Sequence, residues 1–174
     1  MDRPFLLKTD RLMITEFDAG MTDSVHQNSL DSDNRRFVPD EVFETAAEAR
    51  DAIAFLMSQY GGEEGPFVYP VLLKDGTHIG HVQAAPVKNG WEIGYHIGAA
   101  YTGRGYATEA VAAFVPRIMD VLCIEKLYGI CRGDNPASRR VLEKCGFALE
   151  WEGVSAYHGG KHPVCRYSKR REDL

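Results

Sequence analysis

A chain of 174 residues that is 44% hydrophobic is long enough for one globular domain, residues 1–174, with a substantial core, and no linker, internal repeat or low-complexity tract divides it. Its formal charge of −5, from 25 acidic against 20 basic residues, gives no general electrostatic reason to seek a polyphosphate strand, so nucleic acid is set aside as a partner. The charged opening MDRPFLLKTDRL has no apolar block for a signal peptide, and no apolar run reaches the roughly 18 residues needed to span a bilayer, so the expected setting is cytoplasmic and away from membranes.

In chain order, Arg11–Phe17 alternates polar and apolar side chains and predicts a strand with one face buried. A helical region follows. Within it Thr45-Ala-Ala-Glu48 matches a capping box, and Ala49, Ile53, Leu56 and Met57 recur at helical spacing as far as Gly61-Gly62. Phe67–Leu73 and His78–Ala85 predict two strands joined through Lys74-Asp-Gly-Thr77, and Lys88-Asn-Gly90 turns the chain into a third, Trp91–Ile97. Three successive antiparallel strands are expected there. Ala107, Ala110, Val111, Phe114, Ile118, Val121 and Leu122 then form one apolar helical stripe, with Pro116 inside it and a bend expected near Ala112–Pro116.

Lys126–Arg132 predicts the next strand. Asp134-Asn-Pro136 opens a short helix with a capping residue and a proline at its first position, and that helix should run to Cys145 and stop at Gly146. Phe147–Val154 and Pro163–Lys169 read as closing strands around a Gly159-Gly160 turn, and the last residues from Lys169 as a solvated tail. Cys123, Cys131, Cys145 and Cys165 form no CxxC pair, lie in apolar stretches and read as buried thiols. The histidines have no metal-ligand spacing, so no metal is expected.

The stretch YTGRGYATEA, from Tyr101 to Ala110, places two glycines around an arginine in front of a helix. Two readings are open. Glycine lets a ligand approach backbone N–H groups, and a helix N-terminus offers unpaired N–H groups at its positive end, a combination that attracts phosphate; a strand-to-helix turn that merely needs glycine would look the same. The spacing is a poor match to the dinucleotide-binding fingerprint, and the loop follows a run of hairpins rather than the first strand of a parallel sheet, which argues against a nicotinamide oxidoreductase. No lysine followed by Ser or Thr closes a nucleoside-triphosphate loop.

Hairpins, this glycine loop, a long helix, a strand and then Asn135-Pro-Ala-Ser138 through Lys144-Cys-Gly-Phe147 together resemble the GNAT superfamily of acetyl-CoA-dependent N-acetyltransferases. The family's Gln/Arg-x-x-Gly-x-Gly/Ala loop falls on Thr102–Ala107 and departs from the pattern at Thr102. More narrowly, Thr9-Asp-Arg-Leu12, Gly105-Tyr-Ala-Thr-Glu-Ala110 and Asn135-x-x-Ser-x-Arg-Val-Leu-Glu-Lys-x-Gly-Phe147 look like the branch that acetylates ribosomal-protein N-termini, the RimJ/RimL-like enzymes. The resemblance covers nearly the whole chain. It implies an α+β, three-layer fold in which a mixed, mostly antiparallel sheet of about seven strands carries helices on both faces.

By the resemblance, the strands Trp91–Ile97 and Lys126–Arg132 splay apart and the pantetheine arm of acetyl-CoA pairs with exposed backbone at Tyr95 and Ile97. The diphosphate would rest on Gly103, Gly105, Ala107 and Thr108 with help from the charge of Arg104, while Asn135 and Ser138 would face the arm. Asn135 also reads as a plain N-cap and Ser138 as an ordinary first-turn serine. Gly94 marks either a bulge at the splay or a packing position. Transfer to an amine needs a base, for which Glu92 is the first candidate and His96 the second, with a solvated strand residue as the bland alternative for Glu92.

A donor to the departing thiolate helps as well. The family often places a tyrosine for this on the short helix, where this chain has Leu142; Ser138 is the expected donor, with Tyr128 and Tyr157 as substitutes. The implied function is acetyl transfer to a primary amine, the N-terminal α-amine of a protein first, with a small-molecule amine (polyamine, aminoglycoside or amino acid) or a non-catalytic acetyl-CoA sensor as alternatives. Acceptor recognition is expected from Met21–Tyr60 and the Val154–Pro163 turn. Monomer and homodimer both remain open.

Overall fold

Strand β2, Leu12–Ile14, is the core of the alternating Arg11–Phe17 stretch, with Leu12 and Ile14 fully buried. It pairs with a two-residue strand β1, Leu7–Lys8, too short for periodicity to reveal, and this makes an eighth strand beyond the expected seven. The computed structural model describes residues 5–174; Met1–Pro4 of the charged opening lie outside the described residues. Next come helices α1, Thr22–Ser29, α2, Ser32–Phe37, and α3, Ala46–Gln59. Three hairpin strands follow: β3, Phe67–Leu73, β4, His78–Val87, and β5, Gly90–Ile97. Helix α4, Tyr106–Val121, strand β6, Lys126–Arg132, and helix α5, Pro136–Lys144, lead to β7, Ala148–Tyr157, and β8, Gly160–Arg170.

All eight strands form one sheet in the order β1-β2-β3-β4-β5-β6-β8-β7, antiparallel throughout except between β5 and β6. Strand β3 is buried on both sides, which is why FVYPVLL is a continuous apolar run. Phe67, Tyr69 and Val71 join Phe114 of α4 in the main core, and Val68 packs with Phe17 and Ile53 in a smaller one under α3. Helices therefore cover both faces. Among the described residues no helix is long and apolar enough to cross a membrane.

Several local expectations change. Thr45 caps α3 by accepting from the Glu48 N–H at 3.2 Å, but the Glu48 carboxylate accepts from the Glu44 N–H at 2.7 Å, one residue before the position of a reciprocal box. Ala49 and Ile53 are buried, whereas Met57 faces solvent. Helix α4 continues past Pro116, which is exposed: two residues beyond Phe114 is roughly 200° around the helix, so Pro116 lies opposite the buried stripe. Cys131, Cys145 and Cys165 are buried, but Cys123 is exposed just after α4, in left-handed backbone at φ 52°.

The chain end is anchored rather than a solvated tail. Lys169 and Arg170 complete β8, the Arg171 N–H donates to the Glu125 carbonyl at 2.9 Å, and the Arg171 guanidinium donates to the carbonyls of Met119 and Ile124. Those carbonyls lie at and just beyond the C-terminal turn of α4, where a helix lacks internal partners for its carbonyls.

Candidate active site

The glycine loop ends in the N-terminus of α4. Gly103 and Gly105 sit at φ 76° and 80°, backbone that other residues rarely adopt, and Gly105 is the N-cap without any side-chain cap bond. The first helical bond back to the loop runs from the Glu109 N–H to the Gly105 carbonyl at 3.0 Å, so the N–H groups of Tyr106, Ala107 and Thr108 have no acceptor among the described residues. These residues, with Gly103 and Gly105, line a cleft of about 680 Å³, and a Cβ on Gly103 would meet nothing within 4 Å. Bare amides at the positive end of a long helix, opening onto free space, fit a diphosphate.

Thr9–Leu12 clamps this loop. The Arg11 guanidinium donates to Glu109 Oε2 at 2.6 Å and to the Arg104 carbonyl at 2.9 Å, and lies 4.5 Å over the ring of Tyr106. Thr9 Oγ1 donates to Glu109 Oε1 at 2.6 Å and accepts from the Leu12 N–H. The segment that carried part of the resemblance thus holds the glycine loop in place. Arg104 contributes its carbonyl to this clamp; its side chain is exposed and Arg104 does not line the cleft.

The cleft continues into a notch in the sheet. Strands β5 and β6 pair only at Trp91–Leu127, Glu92–Tyr128 and Ile93–Gly129, while β5 runs on to Ile97 and β6 to Arg132. Tyr95, Ile97, Asn135 and Ser138 all line the resulting gap. Asn135 caps α5 by accepting from the Ser138 N–H at 3.1 Å. Ser138 Oγ is 2.8 Å from the Tyr95 hydroxyl, which also reaches the Ser138 carbonyl at 2.9 Å. Burial pushes the Tyr95 phenol far up, so it stays protonated and able to donate. The Tyr95 hydroxyl is a component that sequence reasoning missed, because the resemblance implies main-chain contacts alone for Tyr95.

Leu142 is buried, and a Cβ on Gly129 would come within 2.5 Å of it, so that position on α5 serves the core. Of the two substitute tyrosines, Tyr157 lines the cleft and donates to the Ile130 carbonyl at 3.3 Å. Tyr128 does not line it; Lys126 Nζ sits 4.9 Å from its ring.

Strand alternation sends Glu92, Gly94 and His96 to the face opposite Ile93, Tyr95 and Ile97. Across the β4–β5 ladder their partners are Ala85, Gln83 and His81. Burial is the largest influence on the Glu92 carboxyl; with the nearby charge of Glu41 it outweighs a hydrogen bond from the Ile130 N–H and raises the carboxyl from 4.5 to about 7. His96, the second base candidate, is tied to Asp31: its Nε2 is 2.8 Å from Asp31 Oδ2, which also accepts from the Ala99 N–H. Burial works against the Asp31 carboxylate, but hydrogen bonds from His96 and the Asn34 N–H more than offset it and hold the group low. Gly94 is a packing position. The β4–β5 register is unbroken around it, and a Cβ there would come within 2.5 Å of Gln83.

Two further groups were not anticipated. Glu41, on the loop after α2, accepts from Gln83 Nε2 at 3.1 Å and lies 3.2 Å from His81 Nε2. A register count back from the Lys88–Gly90 turn would have placed His81 and Gln83 beside Glu92's row; Glu41 carried no such signal. The two segments expected to recognise the acceptor meet over this end of the cleft, where His158 Nδ1 is 2.7 Å from Asp40 Oδ2. Among the described residues no group of His, Cys, Asp and Glu could hold a metal ion.

Known proteins share this fold. The family model described as "Acetyltransferase (GNAT) domain" matches residues 11–148. A Bacillus subtilis (strain 168) protein named uncharacterized N-acetyltransferase YnaD is 29% identical over 147 residues, covering 83% of each chain. The crystal structure of a GNAT-family acetyltransferase from Bacillus anthracis superposes with a TM-score of 0.83 at 25% identity, covering 97% of this chain and 99% of that one. RimL, a ribosomal L7/L12 alpha-N-protein acetyltransferase solved in complex with coenzyme A, has a TM-score of 0.84 over 98% and 100% of the two chains; at 18% identity that likeness shows the fold.

Proposed function

Because the chain belongs to the GNAT acetyltransferase family, whose members take their acetyl group from acetyl-CoA, we propose that its acceptor is the N-terminal α-amine of a protein. The observation that carries this reading is Glu92, a carboxyl held at about 7 on the wall of the cleft, where β5 and β6 part. Where a carboxyl of that strength is ionised, a useful fraction of an α-amine of pKa about 8 is already neutral and ready to attack, whereas a lysine near 10.4 stays protonated more than three pH units further up. RimL, itself an alpha-N-protein acetyltransferase, points the same way.

Acetyl-CoA supplies the activated thioester carbonyl. The amides of Gly103, Gly105, Ala107 and Thr108 bind its diphosphate, and backbone at Tyr95 and Ile97 with the Asn135 side chain orients the arm. Glu92 accepts the amine proton as the C–N bond forms. The Tyr95–Ser138 hydroxyl pair, which keeps its own protons, donates a hydrogen bond to the departing thiolate as the C–S bond breaks, and the thiolate leaves as such or takes its proton from solvent. Ser138 is thus half of a donor pair rather than the sole donor.

The test measures thiol release from acetyl-CoA with four acceptors: a peptide with a free N-terminus, the same peptide N-blocked and carrying a lysine, a polyamine and an aminoglycoside. Mass spectrometry locates the acetyl group. The free α-amine should react best, and equal or faster reaction of any of the other three would overturn the reading.

A further inference from the structure

Beside the catalytic cleft lies a second cavity of about 300 Å³, between the sheet and helices α1 and α3. Phe17, Val25, Phe43, Phe55, Leu56 and Val68 supply its apolar wall. Many of the polar side chains that border it spend their heads on protein partners. Asn28 donates to the His78 carbonyl, Ser29 to the His26 carbonyl, and Asn34 Nδ2 to the Ser29 and Glu41 carbonyls. What remains is an apolar hollow with isolated polar atoms at its edge, notably the Asn34 Oδ1, which is buried and has no hydrogen-bond partner among the described residues. Ligand pockets have this make-up and begin at about this size.

The position of the hollow gives it meaning. Glu41, Gln83, Ala85 and His96 line both the hollow and the cleft, so the two spaces adjoin along the β4–β5 ladder. Ala85 is the direct cross-strand partner of Glu92, which puts their Cβ atoms about 5 Å apart on the same face. At this position the side chain between the base and the hollow is only a methyl. On the far side, Ala52 of α3 is another small wall residue.

Building on the reading of Glu92 as the base, we propose that this cavity receives an apolar arm carried next to the acceptor's amine, so that the enzyme selects α-amines whose own residue has a large apolar side chain, such as leucine, methionine or phenylalanine. An amine held at Glu92 directs its neighbouring side chain past Ala85 into the hollow. A charged or strongly polar side chain would be desolvated there against Phe17, Phe43 and Val68, and the carboxylates at the edge are already engaged, Glu41 by Gln83 and His81 and Asp40 by His158.

The experiment is a thiol-release assay on peptides X-Gly-Gly-Gly with X as Gly, Ser, Asp, Leu, Met or Phe, alongside the free amides of glycine, leucine and phenylalanine. The Leu, Met and Phe peptides should exceed the Gly peptide in kcat/KM by at least about tenfold, the low end of what filling an apolar pocket contributes to discrimination. Ala52→Leu, which narrows the hollow far from Glu92, should lower the Leu-to-Gly and Phe-to-Gly ratios. Equal values across X, a preference for Ser or Asp, or ratios untouched by Ala52→Leu would each overturn the proposal. Failure of the protein N-terminus reading looks different: the free amides would react in the Leu-and-Phe-over-Gly order and the peptides would not react at all.

Discussion

Glu92→Gln separates a stability effect from a catalytic one. In the unfolded chain a glutamate releases its proton near 4.5, whereas burial keeps Glu92 protonated to about 7 in the folded protein. Between those values the folded state binds more protons than the unfolded one, so this group's contribution to stability is complete below about 4.5, declines as pH rises and is lost above about 7. At 1.36 kcal/mol per pH unit, the interval from 4.5 to about 7 amounts to roughly 3 kcal/mol. Glutamine stands in for the protonated form at every pH. The variant should therefore gain roughly 3 kcal/mol on the wild type between about pH 4.5 and about pH 8.5, read by urea unfolding at the two ends.

Activity moves the other way, with a loss of about 10²- to 10⁴-fold in kcat/KM. Wild-type log kcat/KM should climb with slope 2 below about pH 7, where both Glu92 and the acceptor amine must lose a proton, and with slope 1 up to about pH 8, where only the amine titrates. Glu92→Gln should keep slope 1 alone. Parallel unfolding curves for the two proteins, or a slope of 2 that survives the substitution, would refute the assignment of the neutral-pH base to this carboxyl.

Tyr95→Phe and Ser138→Ala should each lower kcat by about 10- to 100-fold, and the double variant should be no worse than the weaker single one, because the hydroxyls lie 2.8 Å apart and act as one donor; multiplying losses would show that they work separately. Gly105→Ala forces a side chain into backbone at φ 80°, at a cost of about 1–2 kcal/mol, and should weaken acetyl-CoA binding about tenfold by titration calorimetry while an unchanged dissociation constant would exclude the loop as the cradle. Arg11→Ala loosens the same loop through Glu109 and the Arg104 carbonyl, so KM for acetyl-CoA should rise with kcat kept. Arg171→Ala removes the donor to the Ile124 carbonyl and one of the two to the Met119 carbonyl, which keeps the Ile124 N–H, and should cost about 1–2 kcal/mol in urea unfolding without a change in kcat/KM.

The parts of this site legible in the sequence are those governed by local rules. Gly103 and Gly105 announce a backbone that only glycine enters readily, Asn135-Pro136 announces a capped helix start, and the Asn-Gly turn at Asn89-Gly90 sets the β4–β5 hairpin. The parts that escaped depend on partners far apart in the chain. Glu41 meets His81 and Gln83 across some forty residues, and the Tyr95 hydroxyl meets Ser138 across a similar distance; nothing in either neighbourhood shows that the other exists. Cys123 and Pro116 escape a sequence reading for a related reason. Each sits in an apolar stretch, but one lies just past a helix end and the other on the solvent side of the turn, and composition does not resolve that angle.

On the proposed assignment, β5 alone serves both halves of the reaction. Glu92 and Tyr95 are three residues apart, so alternation sends them to opposite faces of the sheet, where in an intact ladder they could never attend the same bond. The ladder is not intact. Pairing with β6 ends at Ile93–Gly129, between the two residues, and the gap that follows opens the sheet from one face to the other. On the proposed assignment a thioester lying in that gap meets Glu92 from one face and the Tyr95 hydroxyl from the other, with the strand itself between them. Closing the gap by extending the parallel pairing past Ile93 would leave both side chains in place and remove the site.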